Sequence, residues 1–409
     1  MNGGSMKFSI LSSELQKALA KLMGVVPSKS TMPILEHILV EVFRDESGQS
    51  ALRLTATDLE ITISVTVPLG ITNGTHEPGK IAVPARRLMD TVRALPEVPL
   101  SFSAEPGTNK VIILTETGEY QLTGESSEEY PIPGESGLIF QAGESAVEFS
   151  VEGEVLKNLA AKTVFAVSTD ELRPAMMGVL LQIRSNELRA VSTDGHRLVL
   201  VIRKEFSSNV ERDLIVPAKA MNLLLRSIEP APSTPALAGK GLVVVTAGQT
   251  HIKFALDSSI IISRLIEESY PNYESVIPLD NNKQLVVNRF ELLAAVRRVA
   301  LYSSSVTHQI RLQVVSGNEG VSASHFLELS AEDVDFGGGA RERIACTYEG
   351  EPLEIGFNAR YIEDLLTHLD SEEVLFEFST PTRAAIVKPQ ASPTKEDILM
   401  LVMPIRLNS

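Results

Sequence analysis

The sequence predicts an α+β chain of three similar domains, each with two helices on a mostly antiparallel sheet. Three observations predict it. One set of motifs recurs at a period of about 135 residues, the hydrophobic period switches in the same way within each copy, and the remainder is short β-rich runs broken by Gly, Asn and Asp. The first copy reads LTATDLE (54–60), IAVPARRLMDTV (81–92) and EEYPIP (128–133). The second reads AVSTDGHRL (190–198), LIVPAKAMNLLL (214–225) and ESYPNYESVIP (268–278), and the third LSAEDVDF (329–336), IGFNARYIEDLL (355–366) and LVMPIRL (401–407). Asp58, Asp194 and Asp333 step by 136 and 139 positions, and Pro84, Pro217 and Asn358 by 133 and 141. A unit this long is a whole domain, not a short solenoid repeat.

The elements follow in order. The first helix of each unit is marked by apolar residues at helical spacing: Leu15, Leu19, Leu22 and Val26, then Leu156, Leu159, Thr163 and Val167, then Leu292, Val296 and Val299. The second helix follows a strand ending in VPA, VPA or FNA. Proline at a helix start costs little, because its missing N–H would be unpaired there. Leu88, Val92 and Leu95, and later Tyr361, Leu365 and Leu369, supply the apolar stripe. KFSI, HILVEVF, ALRLTA, EITISVTV, KVIIL and YQLTG in the first copy, and LVVVTA, HIKFAL and IIISRLI in the second, read as strands. The domains are placed at 6–137, 146–278 and 283–409, with joints at GESGLIFQAGES (134–145) and LDNNK (279–283). Residues 1–5, MNGGS, read as an appended tail, since a second plausible start, MKFSI, begins at Met6.

Composition narrows the classes. The 409 residues are 44% hydrophobic, enough for three ordinary cores. No run of 18 apolar residues and no signal pattern is present, so the cytoplasm is the expected location. A single cysteine, Cys346, excludes an intrachain disulfide framework and a multi-cysteine metal site, and the seven histidines have no ligand spacing, so no metal or other cofactor is expected. Ser192, Asp194 and His196 alternate and superficially suggest a hydrolase triad. Residues two apart on a strand are separated by roughly 7 Å, too far for the hydrogen-bond contact a triad needs. GTHEPGKI (74–81) lacks the Ser/Thr of a phosphate-binding loop and leads into a strand. Catalysis is not expected.

Charge is unevenly placed. The chain carries −15, which argues against DNA binding. Yet the six helical segments 11–26, 84–94, 153–168, 217–228, 288–302 and 358–369 hold 13 Lys/Arg against 6 Asp/Glu, or +7, leaving −22 on the rest; only the sixth is negative, at −1. If the helices share a surface, that surface is positive.

The repeat together with ATDLE, STDGHRL, VPARRLMD and the terminal VMPIRL resembles the bacterial replicative sliding clamps, the β subunits of DNA polymerase III, from Met6 to Leu407. The resemblance implies the DNA clamp fold and a homodimer of two head-to-tail subunits forming a six-domain ring. In such a ring the helices lie inside, duplex DNA passes through the hole without sequence preference, and the ring tethers the polymerase for processivity. Twelve helices at about 10 Å each would make a circle roughly 38 Å across at the axes, with roughly 28 Å clear. A duplex on the order of 16–20 Å passes through that. The alternative reading is a protein-binding scaffold that never encircles DNA; retention on closed circular DNA separates the two.

Two sets of site residues follow. Arg86, in VPAR, matches the family's DNA-facing arginine, and Lys29 stands where the family often has arginine; Arg87, Arg173, Lys219, Arg297 and Arg298 are added from charge and helix position. The resemblance also implies a pocket for a short linear motif of the replicative polymerase, the clamp loader and clamp-binding repair proteins. Its expected lining is Met176, Thr193, Gly195, His196, Arg197, Leu198, Pro271, Val276, Val402, Met403, Pro404, Ile405, Arg406 and Leu407. Finally, KVIILTETGEYQLTG (110–124) reads as a hairpin with an apolar first strand, expected to pair across the subunit boundary through a surface that includes Ile112 and Ile113.

Overall fold

The computed structural model describes residues 5–70, 76–105, 107–131, 146–229, 238–316, 325–333, 337–391 and 395–407. The first expected joint and nearly all of the N-terminal tail lie outside these residues. Among them are six α-helices: α1 (Ser12–Leu22), α2 (Ala85–Ala94), α3 (Gly153–Thr163), α4 (Ala218–Ser227), α5 (Arg289–Ala300) and α6 (Ala359–Thr367). Each falls inside one of the six segments read from the sequence. Apart from short 3-10 turns, the other regular elements among the described residues are antiparallel strands, so the fold is α+β with two helices in each of the three copies.

The helices form where apolar residues recur at helical spacing, and α5 and α6 add side-chain caps. Leu15, Leu19 and Leu22 of α1 are all fully buried, and each such side chain contributes about 1.5–3 kcal/mol. Asn288 and Asn358 begin the third copy's helices, their Oδ1 atoms accepting from Phe290 N and Glu291 N, and from Arg360 N. Pro84 differs from the expectation in detail. It is the residue before α2 and still pairs with His37 across the sheet, so it closes a strand rather than opening the first helical turn.

The fold divides into two compact units, Met1–Lys157 with Lys219–Leu265, and Asn158–Ala218 with Ile266–Ser409. The first holds a four-stranded sheet in the order 6–11, 99–105, 110–114, 119–123 and an eight-stranded sheet in the order 79–84, 37–44, 50–57, 61–68, 259–264, 251–255, 238–247, 147–152. Phe8 stacks on Phe102 at 4.8 Å beneath α1. The two copies are joined where Ile61–Pro68 pairs with Ser259–Arg264, setting Thr62 opposite Ile262 and Ser64 opposite Ile260.

The second unit holds one twelve-stranded sheet in the order 212–217, 178–183, 188–193, 197–203, 396–402, 385–389, 373–378, 283–288, 338–349, 325–333, 309–316, 354–358. Here the copies join where Arg197–Arg203 pairs with Glu396–Val402, setting Leu198 opposite Leu401 and Leu200 opposite Leu399. The C-terminal strand is therefore a central strand, covered on both edges.

Several strand edges stay open among the described residues, Val147–Glu152 and Arg212–Pro217 at sheet ends among them, and two more stand out. Glu119–Thr123 pairs only with Lys110–Leu114, and Gly338–Ala345 pairs only with the strand His325–Asp333. Exposed apolar groups accompany both: Leu114 and Tyr120 at the first, and Leu301, Tyr302 and Val306 after α5, with Tyr302 beside Gly338, at the second. The expectation for the hairpin needs correction at one residue. Ile113 is 0% exposed and belongs to the core, because alternate residues of that strand face inward.

Candidate functional site

The STDG segment is a turn whose polar groups close on themselves. Asp194 Oδ1 accepts from His196 N at 2.9 Å and Arg197 N at 3.0 Å, and Thr193 Oγ1 donates to Arg197 O at 2.7 Å. Gly195 sits at φ +90°, where a side chain would be strained, and its Cβ would lie 3.1 Å from Arg173 Nη1. The first copy repeats the device: Asp58 Oδ1 accepts from Glu60 N and Ile61 N, and Thr57 Oγ1 donates to Ile61 O. The repeated aspartate is thus explained by local hydrogen bonding. Ser192 Oγ donates to Thr163 O at 2.6 Å and is buried, so the alternating Ser, Asp and His do not assemble into a triad.

Beside this turn lies a hollow of about 520 Å³ within the second unit. Met176, Thr193, Gly195, Arg197, Leu198, Pro271, Val276 and Met403 line it, joined by Arg173, Asn272, Tyr273, Pro278, Thr382, Arg383, Ala384 and Leu401. Beneath it Leu180, Val191, Leu198, Leu200, Ile215 and Leu401 form a packed apolar cluster. Val276 and Met403 remain 55% and 41% exposed, which is the unusual feature: large apolar groups held at the mouth of an apolar hollow. Met403 is fixed there because its N donates to His196 O at 2.8 Å.

Six residues expected in the lining stand elsewhere. His196 stacks on Tyr361 at 6.0 Å. Val402 is fully buried, since in a strand it faces opposite to Leu401 and Met403. Beyond Pro404 the chain crosses to another strand: Ile405 N donates to Gly356 O at 2.8 Å, and Leu407 packs against Gly356, carrying Arg406 with them. Leu401, two residues before Met403, was legible from strand alternation. Thr382, Arg383 and Ala384 carried no sequence signal; pairing of Ala385 with Val402 brings them in.

Arg197 lines the hollow with each of its three nitrogens already donating. It donates to Asp194 Oδ2, Asp364 Oδ2 and Phe165 O, and its guanidinium lies 4.9 Å from the Tyr361 ring. Burial raises the Tyr361 phenol above its ordinary range.

The basic candidates divide by partner. Lys29, Arg86 and Arg87 are exposed and have no ion-pair partner among the described residues. Lys219 is bound by Asp58 at 2.5 Å, Arg297 by Glu363 at 2.7 Å, and Arg298 by both oxygens of Glu342. That fork holds the Glu342 carboxyl below its usual range. Arg173 is not on a helix: it stands at the hollow, 3.3 Å from Asp170.

Fold and site together define a class, a clamp-type protein made from three copies of one α+β domain. Comparison with known families makes it particular. Residues 6–133, 150–272 and 274–406 match the N-terminal, central and C-terminal domains of the DNA polymerase III beta subunit. A beta sliding clamp of Pseudomonas putida is 32% identical over 406 residues, covering 98% of this chain and all of that protein, and one from Chlamydia pneumoniae is 28% identical over 408. Among solved structures, a Pseudomonas aeruginosa sliding clamp bound to griselimycin superposes with a TM-score of 0.83 at 31% identity, covering 99% of this chain and 100% of that one. A Bacillus subtilis clamp gives 0.82 at 27% identity, with the same coverage. The chain belongs to the family of DNA polymerase III beta subunits, the beta sliding clamps.

Proposed function

We propose that this chain acts in DNA replication as a non-catalytic sliding clamp: two copies close into a ring around duplex DNA, and the hollow beside Met403 captures short motifs of the polymerase, the clamp loader and repair proteins. The single observation that carries the reading is the unbroken succession of three beta-subunit domains from residue 6 to 406. The domains run 6–137, 146–278 and 283–409, and the protein works in the cytoplasm, where chromosomal DNA is replicated. No helix among the described residues is long and apolar enough to cross a membrane.

Two of the open edges supply the dimer contact. Glu119–Thr123 of one copy pairs with Gly338–Ala345 of the other, and Leu301, Tyr302 and Leu114 lose their exposure in the joint. Introducing aspartate at Leu301 and Tyr302 turns a dimer near twice 44.4 kDa into folded monomers. A fully dimeric variant refutes this pairing.

Within the ring, Lys29, Arg86 and Arg87 are phosphate-facing charges that no carboxylate among the described residues offsets. Arg173 belongs to the hollow. Lys219, Arg297 and Arg298 contribute less, because each must leave a carboxylate to reach DNA. Many dispersed contacts share the work, so Arg86→Ala weakens association modestly, reduces the salt dependence by about one charge, and leaves sequence preference unchanged. The decisive experiment places loaded protein on circular and linear DNA of equal length. It stays on the circle and leaves through the ends of the linear form; equal retention on both refutes encirclement.

A further inference from the structure

We infer that the hollow selects partner segments carrying acidic residues beside their apolar anchors, and that Arg383, with Arg173, makes that selection. The inference rests on reading the hollow as the peptide site and goes on to specify its ligand. Among the described residues, three arginines and no lysine, aspartate or glutamate line the hollow, in a chain whose net charge is −15. That lining opposes the sign of the protein as a whole.

The three arginines are not equivalent. Arg197 is 9% exposed, and each of its three nitrogens already donates, to Asp194, Asp364 and the Phe165 carbonyl. It is a wall with little left to offer a ligand. Arg383 and Arg173 are different. The Arg383 side chain is 51% exposed and donates through Nη1 to Asp280, itself 60% exposed, at 3.0 Å; Arg173, 56% exposed, meets an Asp170 that is 43% exposed.

Exposed pairs of this kind are held weakly, so an incoming carboxylate can replace Asp280 or Asp170 at little cost. A ligand whose apolar anchors fill the space between Leu198, Val276 and Met403 brings its flanking residues to these rims. There a guanidinium accepts a carboxylate through two parallel hydrogen bonds, which an ammonium cannot do. Arg173 is held in place over Gly195, where any Cβ would press on its Nη1. Arg383 is offered by the turn preceding the strand Ala385–Pro389. The apolar centre provides affinity, and the arginine rim discriminates between partners.

The test uses the full-length protein and two short synthetic peptides, each with a glutamine and a Leu–Phe pair, one flanked by aspartates and the other by asparagines at the same positions. Wild type binds the aspartate peptide more tightly by about fivefold at low ionic strength, and the ratio falls toward one at high salt. Arg383→Gln reduces the ratio, and Arg383→Glu inverts it. Met403→Ala weakens both peptides while keeping the ratio. An aspartate preference that persists undiminished in Arg383→Glu, or that is absent from wild type, overturns the assignment while leaving the hollow as the peptide site. If neither peptide binds wild type, the reading of the hollow itself fails, and this inference falls with it.

Discussion

The sheet junctions of the two units are built alike and lined differently. In the second unit Leu198 and Leu200 face Leu401 and Leu399; in the first, the corresponding places hold Thr62 and Ser64 opposite Ile262 and Ile260. Each junction bears a hollow of about 520 Å³. One is walled by Leu, Met, Val and Pro. The other sets Thr55, Thr62, Ser64, Thr66, Ser258 and Ser259 among Leu39, Leu256, Ile260 and Ile262, with Arg53 and Lys80 gathered on Glu41. A tyrosine from the recurring YP pair braces both: Tyr130 donates to Thr55 O and Tyr270 to Val191 O, at corresponding strand positions. Equal volume thus coexists with different chemistry. A fold supplies the hollow, and side chains decide what it can bind.

The largest effect expected from breaking this contrast is Leu198→Thr, which writes the first unit's residue into the second. Leu198 is 1% exposed, so the hydroxyl enters an apolar cluster at a cost of about 1–3 kcal/mol. Thermal unfolding records that loss and peptide titration a drop beyond tenfold; unchanged binding would mean that the leucine is not the reason for the difference. Met403→Ala comes next. It removes an exposed anchor at about 2 kcal/mol of binding, roughly 30-fold, without a comparable loss of stability. A titration curve matching wild type excludes Met403 from the site.

The turns sharpen the comparison further, because the sign of the effect reverses between them. Gly195 has φ +90°, and its counterpart Leu59 has φ +76° without being glycine. Gly195→Ala therefore costs about 1–2 kcal/mol and shifts Arg173, whereas Leu59→Gly gains up to about 1 kcal/mol by relieving a left-handed residue. Melting temperatures moving in the same direction contradict this account.

The smallest effect concerns what the junctions share. Burial raises the phenols of both Tyr130 and Tyr270 well above the ordinary tyrosine range. A raised folded-state pKa contributes stability that is complete below pH 10 and lost as pH rises through the folded value. Tyr130→Phe and Tyr270→Phe should each flatten the alkaline arm of the stability curve to a similar extent. A difference between them would show that the two braces are not equivalent.

Much of this was legible in the chain because the relevant physics is local. The helices α1, α2, α5 and α6 follow from apolar spacing, helped by Pro84 before α2 and by Asn288 and Asn358 before α5 and α6. The TD turns follow from an aspartate two and three residues before the amides it caps. The candidate hollow was legible on the strand bearing Leu198, at Met176 and Met403, and at Pro271 and Val276. It failed where neighbours in sequence diverge in space. Val402 lies next to Met403 yet faces the core, and Ile405 to Leu407 leave the hollow to join another strand. Arg383 and Ala384 arrive from a distant turn by sheet pairing.

By itself the sequence determined the threefold repeat, the α+β alternation, the placement of positive charge on helices and the family to which the chain belongs. All of these are properties of residues within a few positions of one another, repeated three times. Only the tertiary structure decided which arginines are spoken for. Arg297, Arg298 and Lys219 find carboxylates 66, 44 and 161 residues away, and Arg197 finds Asp364 at a separation of 167. A charge's availability depends on what folding brings within 4 Å of it, and no local pattern records that distance.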